Sequence, residues 1–220
     1  MRHAMIITMK KRATVLAVLL WGLAAVSPAG AEVLGRRHIG IGIGTTWVGE
    51  ATIDRNSLDF SARIRLPVNG NFDIVAFHQQ AMLEGHDPDV PEAANVKMKS
   101  SEYGVGLSCH FLPQRKADPF LKAGLSNAMA DTIVDGKPTY ADEHLMIEFG
   151  GGAEINLRKN ISLLLGAAYH GSLTDSSVND LSAGLSLNGW LNELILVGVG
   201  VEGVFDTRDI SALVTAAYAF

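Results

Sequence analysis

Apolar and polar residues alternate with a period of two along most of the chain. Ile39, Ile41, Ile43, Thr45 and Trp47 share one parity, with Gly40, Gly42 and Gly44 on the other. Leu58, Phe60, Ala62, Ile64 and Leu66 alternate with Asp59, Ser61, Arg63 and Arg65. The same pattern runs through Tyr103–Phe111, Leu145–Ile155, Ile161–Tyr169 and Ile210–Phe220. No segment sustains a helical period. Strict alternation marks strands with one apolar and one polar face. Ten strands are predicted, at about 38–49, 56–67, 71–83, 100–112, 118–128, 143–156, 160–171, 180–188, 193–204 and 209–220. Segment 71–83 mixes its parities, because Val75 and Phe77 interrupt the series Phe72, Ile74 and Ala76. A β-bulge is expected there.

The connections alternate in length. Pro67 to Gly70, Leu112 to Ala117, Leu157 to Asn160 and Asn188 to Asn192 are short, with Asn69-Gly70 and Asn188-Gly189 as turn formers. Glu84 to Lys99, Met129 to Asp142 and Ser172 to Asn179 are longer. The links near Glu50–Arg55 and Phe205–Arg208 are again shorter. An up-and-down barrel with both termini on one side produces such a series.

The N-terminus has a different character. Lys10-Lys11-Arg12 precedes the uncharged apolar run Ala13–Val26, and Ala29-Gly30-Ala31 supplies small residues at −3 and −1. This predicts a secretory signal peptide over residues 1–31, cleaved before Glu32, and a barrel domain over 32–220. The apolar run is shorter than the roughly 20 residues a membrane helix needs. No cysteine follows the cleavage site, so a lipoprotein anchor is not expected.

Composition narrows the classes further. The chain has 220 residues, 48% of them hydrophobic and 19% charged, with 23 Gly, one Cys and a net charge of −5. One cysteine makes no intramolecular disulfide and no cysteine zinc site. The acidic balance argues against nucleic acid as a partner. The low charge argues against disorder. The Gly-x-Gly runs lie within strands and lack a following Lys-Ser/Thr, so they are not phosphate loops.

A soluble barrel turns its apolar face inward and a membrane barrel turns it outward. Strands of this length suit a tilted bilayer crossing, which needs about 9–11 residues. The minority face holds Asp59, Arg63, Arg65, Glu102, Lys122, Glu148, Glu154 and Glu202. In a soluble core these charges would be costly unless paired. They are assigned to a polar lumen in which acids outnumber bases. The tail Ala212-Leu213-Val214-Thr215-Ala216-Ala217-Tyr218-Ala219-Phe220 ends on an aromatic residue, with Tyr218 two positions before it.

Signal peptide, alternating strands and aromatic tail together resemble the small β-barrel proteins of the Gram-negative outer membrane. The resemblance implies an all-β, transmembrane antiparallel barrel. Ten strands is the preferred count and eight the alternative. It further implies outer-membrane lipid and lipopolysaccharide as surroundings, and recognition of Tyr218 and Phe220 by the barrel assembly machinery.

Few constellations suggest chemistry. His170, Ser172 and Asp180, with Asp175 nearby, could form a hydrolase triad at the outer end of the seventh strand. The His-x-Ser spacing resembles that of outer-membrane lipid A deacylases, although the downstream Glu of that family is missing. Glu84-Gly85-His86-Asp87-Pro88-Asp89 is acidic but lacks the Gly and Glu positions of an EF-hand loop. Seven histidines are scattered without a metal motif. No metal or cofactor is expected. The leading expectation is a non-catalytic surface protein whose longer loops meet an external partner. The alternatives are a narrow channel for solutes or ions, and a lipid-modifying hydrolase using His170 and Ser172.

Overall fold

A computed structural model describes residues 37–47, 57–86, 95–113, 115–134, 137–158, 160–205 and 208–220. Residues 1–36, with the expected signal peptide, and the Asp87–Asp89 part of the acidic segment lie outside the described residues. The ten strands are β1 (His38–Trp47), β2 (Leu58–Asn69), β3 (Phe72–His86), β4 (Asn95–His110), β5 (Ala117–Val134), β6 (Lys137–Arg158), β7 (Ile161–Ser172), β8 (Asn179–Trp190), β9 (Ile195–Val204) and β10 (Ile210–Ala219). Each pairs antiparallel with its chain neighbours, and β1 pairs with β10 from His38↔Ala219 to Trp47↔Ile210, which closes the barrel. Closure leaves the spanning backbone without an open edge, the condition for a sheet within hydrocarbon.

The period-two faces fall where the alternation puts them. Ile41, Val105, Leu125, Phe149, Leu185, Val199 and Val214 are exposed on the outer surface. Glu102, Glu154, Glu202, Ser100, Ser182 and Ser186 are buried within. The lumen is crowded. A Cβ added to Gly152 would meet Leu165 O at 1.9 Å, so this strand pair approaches closely only because residue 152 has no side chain.

The turns at the terminal end are fastened by side chains. Asn69 Oδ1 accepts the amides of Asn71 and Phe72 at 2.8 and 3.1 Å. Asn192 Oδ1 accepts those of Leu194 and Ile195, both at 2.8 Å. The expected turn at Asn188-Gly189 is displaced. Those two residues continue β8, where Asn188 is buried and donates to Ser186 Oγ at 3.0 Å. The bulge expected within 71–83 is also absent. β3 runs in unbroken register with β4 from Phe72↔Cys109 to His86↔Asn95, and the irregularity lies at Pro67/Asn69 in β2. Parities mix in β3 because the inward residues Val75, Phe77, Ala81 and Leu83 are themselves apolar.

The largest departure concerns the loops. Met129–Asp142 is not a loop: β5 runs on to Val134, β6 starts at Lys137, and Val134 pairs with Lys137. Asp135-Gly136, which joins them, is a strong hairpin dipeptide that the strand reading passed over. Glu84 to Lys99 likewise contributes its two ends to β3 and β4. β3, β4, β5 and β6 have 15, 16, 18 and 22 residues, against 10 to 12 in the other strands. Four adjacent strands therefore rise as a wall above the outer rim. The outer part of β6 pairs with β5 alone, since β6–β7 pairing starts at Met146↔Ser172. Just beyond that point Asp142 Oδ1 accepts the Glu143 amide at 3.0 Å.

Candidate functional site: the lumen and its outer mouth

The inward residues form three levels along the barrel axis. At the terminal end, Arg65 Nη1 donates to Asp73 Oδ2 at 2.7 Å. His110 bridges this carboxylate and another, with Nε2 at 3.1 Å from Asp73 Oδ2 and Nδ1 at 3.2 Å from Asp118 Oδ2. Asp118 Oδ1 accepts the Leu112 amide at 2.9 Å. Phe120 stacks obliquely on His110, with ring centroids 6.0 Å apart. All five side chains are buried. They come from β2, β3, β4 and β5 and form a floor of paired charges. Pairing and hydrogen bonding make such burial tolerable. Of this set only Arg65 was predicted. Asp73, His110 and Asp118 lie on the inward parity of their strands, and that parity is the signal that could have found them.

The middle level holds most of the predicted lumen charges. Lys122 pairs with Glu148. Arg63 and His170 face the same carboxylate. Glu202 reaches across from β9 toward Lys122, beside Ser182, and Glu102 sits beside Ser126. Glu154 lies lower, beside Ser162 and Arg65. The eight predicted lumen charges are thus inward, seven of them at these two levels. Asp59 is the exception, held at the outer rim by Thr46 at 2.8 Å and Ser57 at 2.5 Å. Among the described residues no group of three or more His, Cys, Asp and Glu is placed to hold a metal ion.

The outer level is mixed. Leu83, Met98, Ala128, Ala130 and Met146 point inward and are buried, joined by Val178 from the β7–β8 loop, and the buried Gln79, Ser100, Thr132 and His144 lie among them. No more than 5% of any of these residues is exposed. They cap the charged middle level.

The candidate catalytic residues do not come together as a triad. His170 stands opposite Asp180 across the β7–β8 ladder, both buried in the lumen. Ser172 meets a different histidine, with its Oγ 3.3 Å from His144 Nδ1. His144 Nε2 lies 3.1 Å from Asp142 Oδ2. The chain Ser172–His144–Asp142 has relay connectivity, but its serine is engaged otherwise. Ser172 Oγ accepts the amides of Thr174 and Asp175 at 3.1 and 3.0 Å and lies 3.0 Å from Thr174 Oγ1. These bonds fasten the β7–β8 loop in the manner of a Ser turn. In the same loop the Ser177 hydroxyl and amide hold the Asp175 carboxyl below the usual carboxylate range.

On the outside, the apolar band ends at a ring of amphipathic and aromatic residues. Trp47, Tyr169, Phe205 and Tyr103 are exposed toward the outer end, and Phe72, Phe111, Tyr218 and Phe220 at the terminal end. Above Tyr103 the outward face of the wall mixes polar residues with Met82, Met129 and Ala141. Its register rows read His78–Tyr103–Asn127–Leu145, then Gln80–Ser101–Met129–Glu143, then Met82–Lys99–Asp131–Ala141.

A closed barrel with an apolar exterior, a charged interior and an aromatic residue at each border belongs to the membrane-spanning class. Within that class, the chain belongs to the outer-membrane protein β-barrel domain family, whose sequence profile matches residues 15–188. It is therefore an outer-membrane β-barrel protein. Its fold is similar to the translocator domain of autotransporter NalP from Neisseria meningitidis, with a TM-score of 0.57 and 12% identity over 96% of this chain and 98% of that one. It is also similar to the transport unit of the autotransporter AIDA-I from Escherichia coli, with a TM-score of 0.52 and 11% identity over 89% of this chain and 93% of that one. At these identities the likeness concerns the fold alone. Comparison with curated protein sequences finds no match.

Proposed function

We propose that the protein is a non-catalytic, structural or interaction component of the outer membrane that works through its outer end. The observation carrying this reading is the filled lumen: a floor of paired charges around His110, and a cap of buried apolar side chains around Leu83 and Met98. A narrow barrel filled in this way offers no continuous aqueous path. The wall of β3–β6 and the β7–β8 loop then carry the surfaces available to lipopolysaccharide, neighbouring lipid and an external partner. Tyr218 and Phe220, both exposed at the terminal border, are the residues assigned to recognition by the assembly machinery.

Planar-bilayer recording tests this. Folded protein is expected to give no stepwise current at any voltage, and a stable conductance overturns the reading. One observation favours a channel as the second reading, namely the acid surplus of Glu102, Glu148 and Glu202 at the middle level. If the apolar cap is what closes that route, Leu83→Ser with Met98→Ser gives a cation-preferring current that the wild type lacks. The hydrolase reading has least support, because Ser172 Oγ already accepts two backbone amides. Lipid A acyl patterns that do not change between cells with wild-type protein and with Ser172→Ala remove it.

A further inference from the structure

The outward face of the wall begins where the lipid-facing band stops. Val105, Leu125 and Phe149 belong to the band, and His78, Tyr103 and Asn127 form the first row at its outer edge. Whatever that row touches lies in the headgroup layer of the same leaflet, because the surface is continuous with the one already in contact with acyl chains.

The chemistry of the row is specific. Asn127 Nδ2 donates to Tyr103 OH at 2.9 Å and to Glu143 Oε1 at 2.6 Å. Both amide protons are thereby committed, and the side-chain amide is locked. Asn127 Oδ1 remains as an acceptor, the Tyr103 hydroxyl proton as a donor, and the Glu143 carboxylate as an acceptor. The result is a rigid edge about three strands wide that reads donor, acceptor, acceptor from Tyr103 through Asn127 to Glu143. The Tyr103 ring, 49% exposed, offers an apolar face beside it. Gln80 and Ser101 continue the polar surface in the next row. The charges around it are mixed, with Lys99 opposite Asp131 and Glu143 nearby. A polyphosphate would call for a basic cluster. One hydroxyl donor, an amide and a carboxylate acceptor and an exposed ring, with no basic cluster, match the hydroxyls and C–H faces of a sugar.

Building on the membrane-surface reading above, we infer that this face docks the saccharide core of an outer-leaflet glycolipid, with Tyr103, Asn127 and Glu143 as the contact residues. The mechanism is preorganised hydrogen bonding, for which the Asn127 bridge has already fixed the side chains before the ligand arrives.

The test titrates the purified full-length barrel in detergent with three lipids, and counts bound molecules by native mass spectrometry. The lipids are lipopolysaccharide with a complete core, lipopolysaccharide cut back to lipid A, and phosphatidylethanolamine, and soluble deacylated core is titrated as a fourth probe. The wild type is expected to bind the full-core lipid about tenfold more tightly than lipid A. Tyr103→Phe, Asn127→Ala and Glu143→Gln should each weaken full-core binding roughly fivefold, the scale of one lost hydrogen bond, and leave lipid A binding unchanged. Tyr103→Phe keeps the ring at the border, so an aromatic anchor alone would be unaffected by it. Equal binding of full-core lipid and lipid A overturns the inference, as do variants that bind like the wild type. Equal binding of soluble deacylated core and intact lipid points to a free oligosaccharide, and overturns the lipid source. Heat-dependent gel mobility is checked on every sample. Its absence in the wild type would refute the underlying barrel reading, and its presence confines a failure to the docking surface.

Discussion

The wall of β3–β6 and the low arc formed by β7–β10 with β1 solve the same problem differently. On the low arc, outward residues stay apolar up to the outer strand ends, through Trp47, Tyr169, Leu181 and Ile210. Its interior is made largely of small residues: Gly40, Gly42, Gly44, Gly166, Ala168, Ser182, Gly184, Ser186, Gly198 and Gly200. The wall arc, with β2 beside it, carries most of the bulk and charge inside, through Arg63, Arg65, Phe77, Glu102, His110, Phe120, Lys122 and Glu148, and the low arc adds His170, Asp180 and Glu202. Large side chains of one arc fill the space left by small ones of the other. Phe120 Cζ lies 3.8 Å from where a Cβ on Gly166 would stand, two strands away. Phe120 thus covers the glycine-rich stretch of β6 and β7, and only one arc has length left over for the exterior.

The largest way to break this comparison is at the foot of the wall. Arg65→Met leaves Asp73 and its neighbours buried without their cation, and should cost about 3–5 kcal/mol in urea unfolding of the folded barrel. Ser186→Ala, a buried change of one small polar group on the low arc, should cost only about 1 kcal/mol. Similar losses for the two would mean that the charge floor is not what fastens the wall. A second contrast is outward. Leu185→Arg, mid-band on the low arc, should cost about 2–4 kcal/mol in a bilayer, whereas Met82→Arg, level with Lys99 on the wall, should cost about 0–1 kcal/mol. Equal penalties would place the wall within the hydrocarbon.

Smaller effects concern the loop that fills in for the missing height of the low arc. Ser172→Ala removes the acceptor of the Thr174 and Asp175 amides, and should destabilise the loop by about 1 kcal/mol. Hydrogen exchange would show those two amides losing protection while the barrel ladder keeps its own. Smallest is a pH effect. The Asp175 carboxyl is held below its ordinary value by Ser177. Its contribution is therefore present above the unfolded pKa and lost as pH falls through the folded one. Protection of the Ser177 amide should fade on acidification and stay flat on going to alkaline pH.

Much of this was legible in the sequence, because period two is a direct imprint of a sheet with unlike faces. The ten strands and the shared parity of Glu102, Glu148 and Glu202 follow from it; the side each face takes needed strand length, the charges of the minority face and the aromatic tail as well. The wall was not legible. Above the membrane neither face needs to be continuously apolar, so the alternation that marks a strand fades just where β5 and β6 continue. Only Asp135-Gly136 signalled the hairpin. The His144 contact with Ser172 was hidden for another reason. It joins β6 to the end of β7 across 28 positions, and its existence depends on how far β6 outruns its neighbour. The Asn188-Gly189 misplacement has a local cause. An Asn-Gly pair reads as a turn unless the lumen offers the Asn a partner, as Ser186 does.

The outer half of β6 has a consequence for life in a crowded membrane. A strand that outgrows its neighbour leaves one row of backbone groups open, and two such molecules side by side could zip together into a continuous sheet. Here the open row is spoiled locally. Asp142 folds back onto the Glu143 amide, and Pro138, a little further along, has no amide proton to give. Two donors of the tall strand are thereby withdrawn from pairing between copies that stand side by side.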